Sequence, residues 1–374
     1  MAKRVAGDKW IFFTTVLLIV VGLAMVFSAS AVVAAQGKFH SPYAFVGKQA
    51  LWALTGLAFM LLLARLDYTF YKSPRFIYIA LSVTTTLLVL VYRFPESNYA
   101  HRWIRFSDFF TLQPSEIVKP VMVLFLAWFL SNRLDQINQW STLWRASLIP
   151  LIFISLIVFE PDLGTALVLA GVTAMMLFLA GLAWRYLVGG IFVSLPVLAL
   201  LLIGVSWRLQ RIRVYERFLL HPDCDLKDLK EAGAAGYHTC QSLIAVGSGG
   251  VTGLGYMDGQ QKLFFLPEVH TDFIFANIAE EMGLIGAILL LFLFAYFGYR
   301  GLRTAYRSQD PFARLTAFGI TTAIVLQAFF NISVVIALLP TKGIPLPLIS
   351  SGGTSLVFTL ASIGILLNIS RKVD

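Results

Sequence analysis

Charged residues are scarce in this sequence of 374 residues, and their scarcity excludes most classes of soluble protein. Only 13% of the residues are charged and 58% are hydrophobic, a composition too apolar for an ordinary globular fold. Several runs reach the roughly 20 apolar residues that a helix needs to cross a bilayer. The first, 10–35, is uncharged and lacks a convincing small-residue cleavage site, so it predicts a retained span rather than a signal peptide. The sequence indicates a multi-pass membrane protein.

The sequence motifs of several enzyme classes are also missing. No Walker, Rossmann or nucleophile-elbow pattern occurs, so neither ATP nor dinucleotide chemistry is indicated. The five histidines are scattered and show no Cys/His spacing typical of zinc. No clear internal repeat is present, which weakens the case for an inverted-repeat transporter. The two cysteines, Cys224 and Cys240, allow either one disulfide or two free thiols, and the glycines at 247–250 indicate a flexible turn more than a phosphate loop.

The basic residues that are present follow the membrane topology. With both termini on one side, the termini and even-numbered short loops hold 15 Lys or Arg, and the opposite short loops hold six. Because basic loops stay in the cytoplasm, both termini are expected there, and the net charge of +9 is not a sign of nucleic-acid binding. We predict an all-α polytopic membrane protein forming a single domain over 1–374, with a large extracytoplasmic loop at about 208–272 between helices 7 and 8. The ten predicted spans are 10–35, 44–65, 76–92, 114–131, 146–159, 163–181, 187–206, 273–298, 312–338 and 347–368.

An acidic residue, Asp272, ends the longest polar segment and directly precedes an apolar helix. A carboxylate at the membrane boundary is costly unless it has a role. Thr271 and Asp272 also suit a helix N-terminal cap after Pro267. The local sequence leaves the cap and the functional site equally open.

A second group of polar residues enters the fourth span at Gln113–Pro114–Ser115–Glu116. Lys119 lies about one turn into the apolar part, where it could snorkel outward, pair with Glu116 on the same face, or serve in function. Arginines 208, 211, 213 and 217 begin the long loop at helical spacing, which is typical of an interfacial segment or a solvated helical face.

Two further segments are expected at the same outer face. Glu160–Pro161–Asp162 joins the fifth and sixth spans, either as a turn capped by Asp162 or as an acidic site. Prolines and glycines at 343–353 predict non-helical backbone that dips into the membrane, which is tolerated where it lines a polar cavity. Charges of both signs thus gather at membrane level, as expected for a site that handles a lipid-linked anionic substrate.

These motifs, in this order, resemble the SEDS family of bacterial shape, elongation, division and sporulation proteins, which includes RodA, FtsW and SpoVE. The segment from Asp8 to Ser30 is more similar to FtsW than to RodA. The sequence departs from the family pattern at Ser351, where an aromatic residue is usual, and around Asp223–Cys240. The resemblance covers nearly the whole chain and rests on the segments 113–119, 160–165, 241–250, 266–275, 280–281 and 343–355.

The resemblance implies a peptidoglycan glycosyltransferase that polymerises lipid II outside the cytoplasmic membrane, in cell division or cell-shape maintenance. It implies Asp272 as the essential acidic residue, which would serve as general base in catalysis. It also implies membrane lipids as surroundings, and a class B penicillin-binding transpeptidase and other division or elongation proteins as partners.

Glu116, Asp162 and Glu281 could orient the substrate-binding groups or hold a divalent cation such as Mg²⁺ or Mn²⁺, which would suit a pyrophosphate leaving group. Lys119, with Arg102 or Arg105, is the candidate to neutralise the pyrophosphate. The candidate substrate-binding residues are Arg102, Arg105, Gln113, Glu116, Lys119, Asp162, Glu281, Ser350 and Ser351.

Two other functions fit the same pattern of spans and buried charge. The chain could flip the lipid-linked precursor across the membrane, or it could act mainly as a scaffold for a transpeptidase. Transporters place their sites near the bilayer midplane, whereas the polar residues here crowd one face. The sequence therefore favours the enzyme over the transporter.

Overall fold

The structure, a computed structural model, describes residues 7–36, 40–94, 102–105, 110–204, 206–220, 224 and 226–372. The described chain is a helical bundle with one short hairpin, in which β1 (Ile104–Arg105) pairs antiparallel with β2 (Thr111–Leu112). Short 3₁₀ turns occur at Tyr68–Phe70, Val91–Arg93 and Leu134–Gln136. The helices are α1 Lys9–Gln36, α2 Ala44–Arg65, α3 Pro74–Leu90, α4 Pro114–Ser131, α5 Trp140–Phe159, α6 Leu163–Leu179, α7 Trp184–Ile203, α8 Ser206–Leu220, α9 Leu226–Ser248, α10 Ile274–Arg307, α11 Pro311–Val335 and α12 Gly353–Ser370.

The predicted all-α polytopic membrane fold is confirmed. Within the described residues, eight helices are long and apolar enough to cross a membrane, namely α1 to α5 and α10 to α12. The predicted sixth span is a shorter apolar helix of 17 residues, α6, and the seventh coincides with the 20-residue α7. The last span begins at Gly353 rather than at 347, because Leu348 adopts a positive φ of 67° that a helix cannot accommodate.

The predicted outer loop at 208–272 contains two helices, α8 and α9. The predicted arginine segment lies on α8, where the side chains of Arg208 and Arg217 fall outside the described residues. Cys224 and Cys240 form a disulfide, with Cα atoms 5.8 Å apart. Of the two alternatives open from the sequence, the structure therefore contains the disulfide, which closes a loop worth about 3 kcal/mol in the chain-entropy model.

Helix α11 lies at the centre of the bundle, and this position places its polar side chains near the site. It packs against α4, α6, α10 and α12. Small residues allow the close approach, since a Cβ added at Gly319 would lie 2.6 Å from Val123 and 2.7 Å from the Met176 sulfur. Gln327 and Asn331, one turn apart on α11, are both buried, so they face neighbouring protein rather than lipid.

Residues near the two termini meet at one end of the bundle. The Asp8 backbone N–H donates to the Ser370 hydroxyl at 2.9 Å, and the Arg300 guanidinium forms an ion pair with Asp8 at 2.6 Å. Lys372 pairs with Asp67 at 2.6 Å at the same end. The described residues nearest the two termini therefore lie at the same end of the bundle.

The segment after α9 docks on α10 where that helix breaks. Gly283 leaves the helical conformation with φ 65°, and such a break exposes backbone groups that lipid cannot satisfy. The docked segment satisfies them: Leu284 N–H donates to Gly250 O at 3.0 Å, and Leu254 N–H donates to Glu280 O at 3.0 Å. Glycine is required at Gly253, where φ is 84° and a Cβ would lie 2.1 Å from Glu281 O.

We expect Gly253→Ala to lower the free energy of unfolding by about 2–5 kcal/mol, because it combines a left-handed backbone penalty with a clash against main chain. Gly247→Ala is the matched control, since a Cβ there meets nothing within 4 Å and alanine favours a helix. Thermal unfolding of both variants in one detergent measures the difference. Equal melting temperatures would show that the 249–255 segment does not depend on this close contact.

Candidate functional site

Asp272 lies one residue before the N-cap of α10, at the end of the bundle opposite the termini. The N-cap itself is Phe273, and no side chain caps this helix. The alternative that Asp272 is a capping residue is therefore wrong. The helix begins without using the carboxylate, which leaves Asp272 available for another role.

Backbone hydrogen bonds fix the segment that carries Asp272. Asn331 Nδ2 donates to Asp272 O at 2.8 Å and to Ile344 O at 2.6 Å. The Ser350 hydroxyl donates to Thr271 O at 2.5 Å, and Ser351 N–H donates to His270 O at 2.9 Å. Ser350 and Ser351, predicted to bind substrate, thus hold the main chain beside Asp272.

Gly343 brings the α11–α12 connection directly against the Asp272 carboxylate. A Cβ added at Gly343 would lie 2.7 Å from Asp272 Oδ2, so a larger residue there would displace the carboxylate. The next residue, Ile344, contacts Gly164 in the first turn of α6, where an added Cβ would lie 2.5 Å from its side chain. The non-helical backbone predicted at 343–353 therefore connects Asp272 to the start of α6.

Asp162 caps α6, as one of the two sequence interpretations proposed. Its carboxylate accepts from Thr165 N–H at 3.2 Å and from the Thr165 hydroxyl at 2.8 Å. Gln113 Nε2 lies 3.5 Å from Asp162 Oδ2 and donates to the Ser115 hydroxyl at 3.0 Å. Arg102 reaches the same turn, donating from Nε to Glu160 O at 3.2 Å and from Nη2 to Pro161 O. The structure thus brings Arg102, Gln113 and Asp162 together.

Glu160 is the least compensated acidic group in this region. The residue is fully buried, and both carboxylate oxygens lack a hydrogen-bond partner among the described residues. Burial, together with the charge of Asp162, raises the pKa of Glu160 to about 8. The neutral form of the Glu160 carboxyl group is therefore favoured beside the charge of Asp162.

Lys119 is held inside the bundle rather than at the site opening. Its ammonium lies 2.7 Å from Glu116 Oε2 and donates to Gln327 Oε1 at 2.7 Å. The predicted pairing of Lys119 with Glu116 is confirmed. Gln327 Nε2 in turn donates to Pro345 O at 2.8 Å. Lys119 therefore supports, through Gln327, the connection that places Gly343 against Asp272.

The charges of two arginines, Arg102 and Arg211, act on the Asp272 carboxyl group. Burial, followed by the charge of Glu268, raises the pKa of Asp272 to about 7, and Arg102 and Arg211 act in the opposite direction. Arg211 on α8 donates from Nη1 to Thr341 O at 3.2 Å. Burial and the nearby Arg102 lower the pKa of Arg211. Two mutually repelling guanidinium groups beside a carboxyl group form a setting that favours an anionic ligand.

Two predicted site residues are not brought to Asp272 by the contacts of the structure. Arg105 is exposed in β1. Glu281 lies about two helical turns into α10, where it pairs with Lys262 at 2.6 Å and accepts from the Ser28 hydroxyl at 2.5 Å. Met257 N–H also donates to Glu281 at 3.2 Å. The carboxylate of Glu281 thus holds the 255–262 segment between α1 and α10.

A divalent cation at the site stays a prediction of the sequence. No group of three or more His, Cys, Asp or Glu within the described residues is placed to hold a metal ion. Of the three candidate ligands, Asp162 accepts two hydrogen bonds from Thr165, and Glu116 and Glu281 form ion pairs with Lys119 and Lys262. The proposed reaction assigns no step to a metal ion.

Four residues that shape the site were not among the candidate site residues, namely Arg211, Glu268, Gln327 and Asn331. The polar pair on α11 could have been predicted from the sequence. Gln327 and Asn331 are four residues apart in an apolar span, where polar groups are expected to face protein. Arg211 was noted only as part of an interfacial face. Its contact with Thr341 joins residues 130 positions apart in the sequence, so no local sequence pattern predicts it.

Comparison with known proteins places this geometry in a family. The chain matches, over residues 8–374, the family model for FtsW, RodA and SpoVE, described as a cell cycle protein. It is 39% identical to a probable peptidoglycan glycosyltransferase FtsW of Geobacter metallireducens, over 98% of this chain and 95% of that one. It is 36% identical to the stage V sporulation protein E of Bacillus subtilis, over 99% and 98% of the two chains.

Solved structures share the fold along the full chain. One, from work on the structural coordination of polymerization and crosslinking by a peptidoglycan synthase complex, matches with a TM-score of 0.78 and 26% identity. The rod shape determining protein RodA of Thermus thermophilus matches with a TM-score of 0.71 and 26% identity. Each match covers 98% of both chains. The chain therefore belongs to the FtsW, RodA and SpoVE family, the SEDS proteins, and within it is more like FtsW.

Proposed function

We propose that this chain is a peptidoglycan glycosyltransferase that polymerises lipid II into glycan strands, as the names of its relatives indicate. The observation that carries the proposal is the position of Asp272, which lies just before α10, is held by Asn331 and approached by Gly343, and is acted on by the charges of Arg102 and Arg211. The reaction needs a base for a sugar hydroxyl and positive charge for a lipid pyrophosphate. Asp272 and the two arginines supply both within one site.

The chemical step is a direct displacement at the anomeric carbon of the donor. The acceptor hydroxyl oxygen forms a bond to that carbon, its proton passes to the Asp272 carboxylate, and the bond to the pyrophosphate oxygen breaks with its electron pair. A base is most effective when its pKa lies near the working pH. A pKa of about 7 therefore makes Asp272 a better base than an ordinary aspartate. A single displacement inverts the anomeric centre.

The positive charge for the leaving group comes from Arg102 and Arg211 in this proposal. Negative charge grows on the pyrophosphate as the bond breaks, and fixed guanidinium groups stabilise it without reorganisation. The sequence assigned this task to Lys119, with Arg102 or Arg105. The ion pair with Glu116 and the bond to Gln327 favour a positioning role for Lys119 instead.

We further propose that the site opens to the extracytoplasmic side, with both termini in the cytoplasm. The charge count of the loops supports this orientation, and the clustering of the termini at the far end supports their sharing one side. A class B penicillin-binding transpeptidase is the proposed partner, because a structural relative is described as a peptidoglycan synthase complex that coordinates polymerization with crosslinking. The similarity to FtsW favours a role in cell division.

Incubation of purified protein with labelled lipid II tests the proposed activity, both alone and with the partner transpeptidase. We expect a ladder of glycan chains on a gel, formed without added nucleotide. Lipid II that crosses the membrane of a vesicle without forming polymer would identify a flippase. Polymer made only by an added polymerase would identify a scaffold.

A further inference from the structure

A groove of about 680 Å³ lies between α3, α4 and α5, toward the end of the bundle opposite Asp272. Its volume falls in the usual range for ligand pockets, roughly 300–1,000 Å³. The groove faces outward, since Tyr78 and Ser82 on its rim are exposed. A cavity that opens sideways from a transmembrane bundle faces the acyl chains of one leaflet. It shares no residue with the site built around Asp272.

The inner wall of the groove is aromatic. Phe125, Trp128 and Phe129 of α4 all line it, and the Tyr78 ring meets Trp128 edge-on with centroids 5.8 Å apart. Phe125 and Phe129 are nearly buried, so the wall is held by the bundle core. A fixed apolar surface of this kind suits a hydrocarbon chain.

A stripe of hydroxyl groups runs along the α3 side. Ser82, Thr85 and Thr86 line the groove, and their spacing puts them on one face of the helix. The Thr85 hydroxyl donates to Leu81 O at 2.8 Å, so Ser82 and Thr86 are the better placed to donate to the ester oxygens of a lipid, which only accept hydrogen bonds. A helix facing only hydrocarbon has no need of such groups, whereas the glycerol esters of a lipid would contact them.

The mouth of the groove is basic. Arg133 donates to Phe129 O at 3.5 Å and lies 4.3 Å above the Phe129 ring, which holds its guanidinium in place. Arg145, on the first turns of α5, is exposed. The residues that line the groove include both arginines and no acidic side chain. Their charge is therefore complementary to a phosphate.

We propose that this groove binds an anionic phospholipid of the leaflet at that end, with one acyl chain along the aromatic wall and the headgroup phosphate between Arg133 and Arg145. Basic pockets between transmembrane helices are suited to anionic lipid headgroups. The site is independent of the polymerase site and of its chemistry. A bound lipid there would pack α3 and α5 against α4, the helix that carries Lys119.

The purified full chain, titrated with phosphatidylglycerol whose acyl chains are brominated, tests the proposal through quenching of Trp128 fluorescence. Bromine quenches only nearby tryptophan, and the difference between wild type and Trp128→Phe isolates the signal from the groove. Phosphatidylcholine with the same chains tests the headgroup, and glycerol phosphate added as a competitor tests for a site that takes the free anion. We expect quenching by phosphatidylglycerol at lower lipid concentration than by phosphatidylcholine, and no competition by glycerol phosphate.

Three variants separate the parts of the site. Arg145→Ala should weaken phosphatidylglycerol binding about five-fold, from about 1 kcal/mol per arginine, and Ser82→Phe should fill the groove and abolish the Trp128 signal for both lipids. Arg185→Ala, which removes an exposed arginine at the same end and outside the groove, should change nothing. Equal binding of the two lipids, or wild-type binding by both Arg145→Ala and Ser82→Phe, would overturn the proposal. So would full competition by glycerol phosphate.

Discussion

Replacing Asp272 with asparagine is expected to lower the rate of lipid II polymerisation by about 100- to 10,000-fold, the usual contribution of a general base. Asparagine has nearly the same shape, so it preserves the contact with Gly343 and the backbone bond from Asn331. The labelled lipid II assay measures the loss. Asp258→Asn, at an exposed position in the same outer segment, is the matched control and should keep wild-type activity.

The pH dependence gives this prediction a second measurement. Because the pKa of Asp272 is about 7, the wild-type rate should fall below pH 7 as the carboxylate takes up a proton. The charge of Glu268 helps to raise that pKa, so Glu268→Gln should move the acidic limb to lower pH. A limb that stays near pH 7 in Glu268→Gln would assign the titration to another group, and full polymer from Asp272→Asn would remove the base.

Stability should change in the direction opposite to activity. The folded pKa of Asp272 lies above its ordinary value of 3.8, so the folded protein retains a proton that the unfolded chain releases. Stability is therefore lost as the pH rises from 3.8 to about 7. Asparagine does not ionise, so Asp272→Asn should unfold at the same or a higher temperature than wild type at pH 8. An inactive variant that also melts early would indicate a structural role instead.

Much of this site could be predicted from the sequence, because a charged residue beside an apolar segment is energetically costly and can be recognised from its immediate neighbours. Asp272 is a carboxylate directly before an apolar helix, and Lys119 is a lysine within one. Both are unusual next to hydrocarbon and can be recognised in the sequence. The capped turn at Asp162 was readable as well, since Asp and Thr three residues apart mark a helix start. Each of these features depends on residues only a few positions apart, so a single sequence is enough to detect it.

The rest of the site depends on contacts between distant segments. Gly343 has the sequence context of an ordinary loop glycine, and only the structure shows that a side chain there would displace the Asp272 carboxylate. The assignment of Glu281 to substrate binding failed to find support for the same reason, because its partners Ser28 and Lys262 come from other segments. A charge in an apolar span signals that a partner exists, and it does not say whether that partner is protein or substrate.

Lys119→Met is expected to lower the free energy of unfolding by about 3–5 kcal/mol, because it leaves the buried carboxylate of Glu116 without its counter-ion. Both side chains are largely buried, 11% and 2% exposed, so water cannot compensate. Thermal unfolding in detergent measures the loss. The control is Lys372→Met, which breaks the exposed pair with Asp67, 44% and 53% exposed, and should cost at most about 1 kcal/mol.

The double variant Glu116→Gln with Lys119→Met decides between the two roles of the lysine. Removing both charges of a buried pair is often nearly neutral, so stability should return to within about 1 kcal/mol of wild type. If Lys119 acts by supporting Gln327 and Pro345, polymerisation should also return to within about tenfold of wild type, since two residues of the support remain. A double variant that is stable yet has lost more than a hundredfold in rate would instead put the Lys119 ammonium on the pyrophosphate of the donor, as the sequence first suggested.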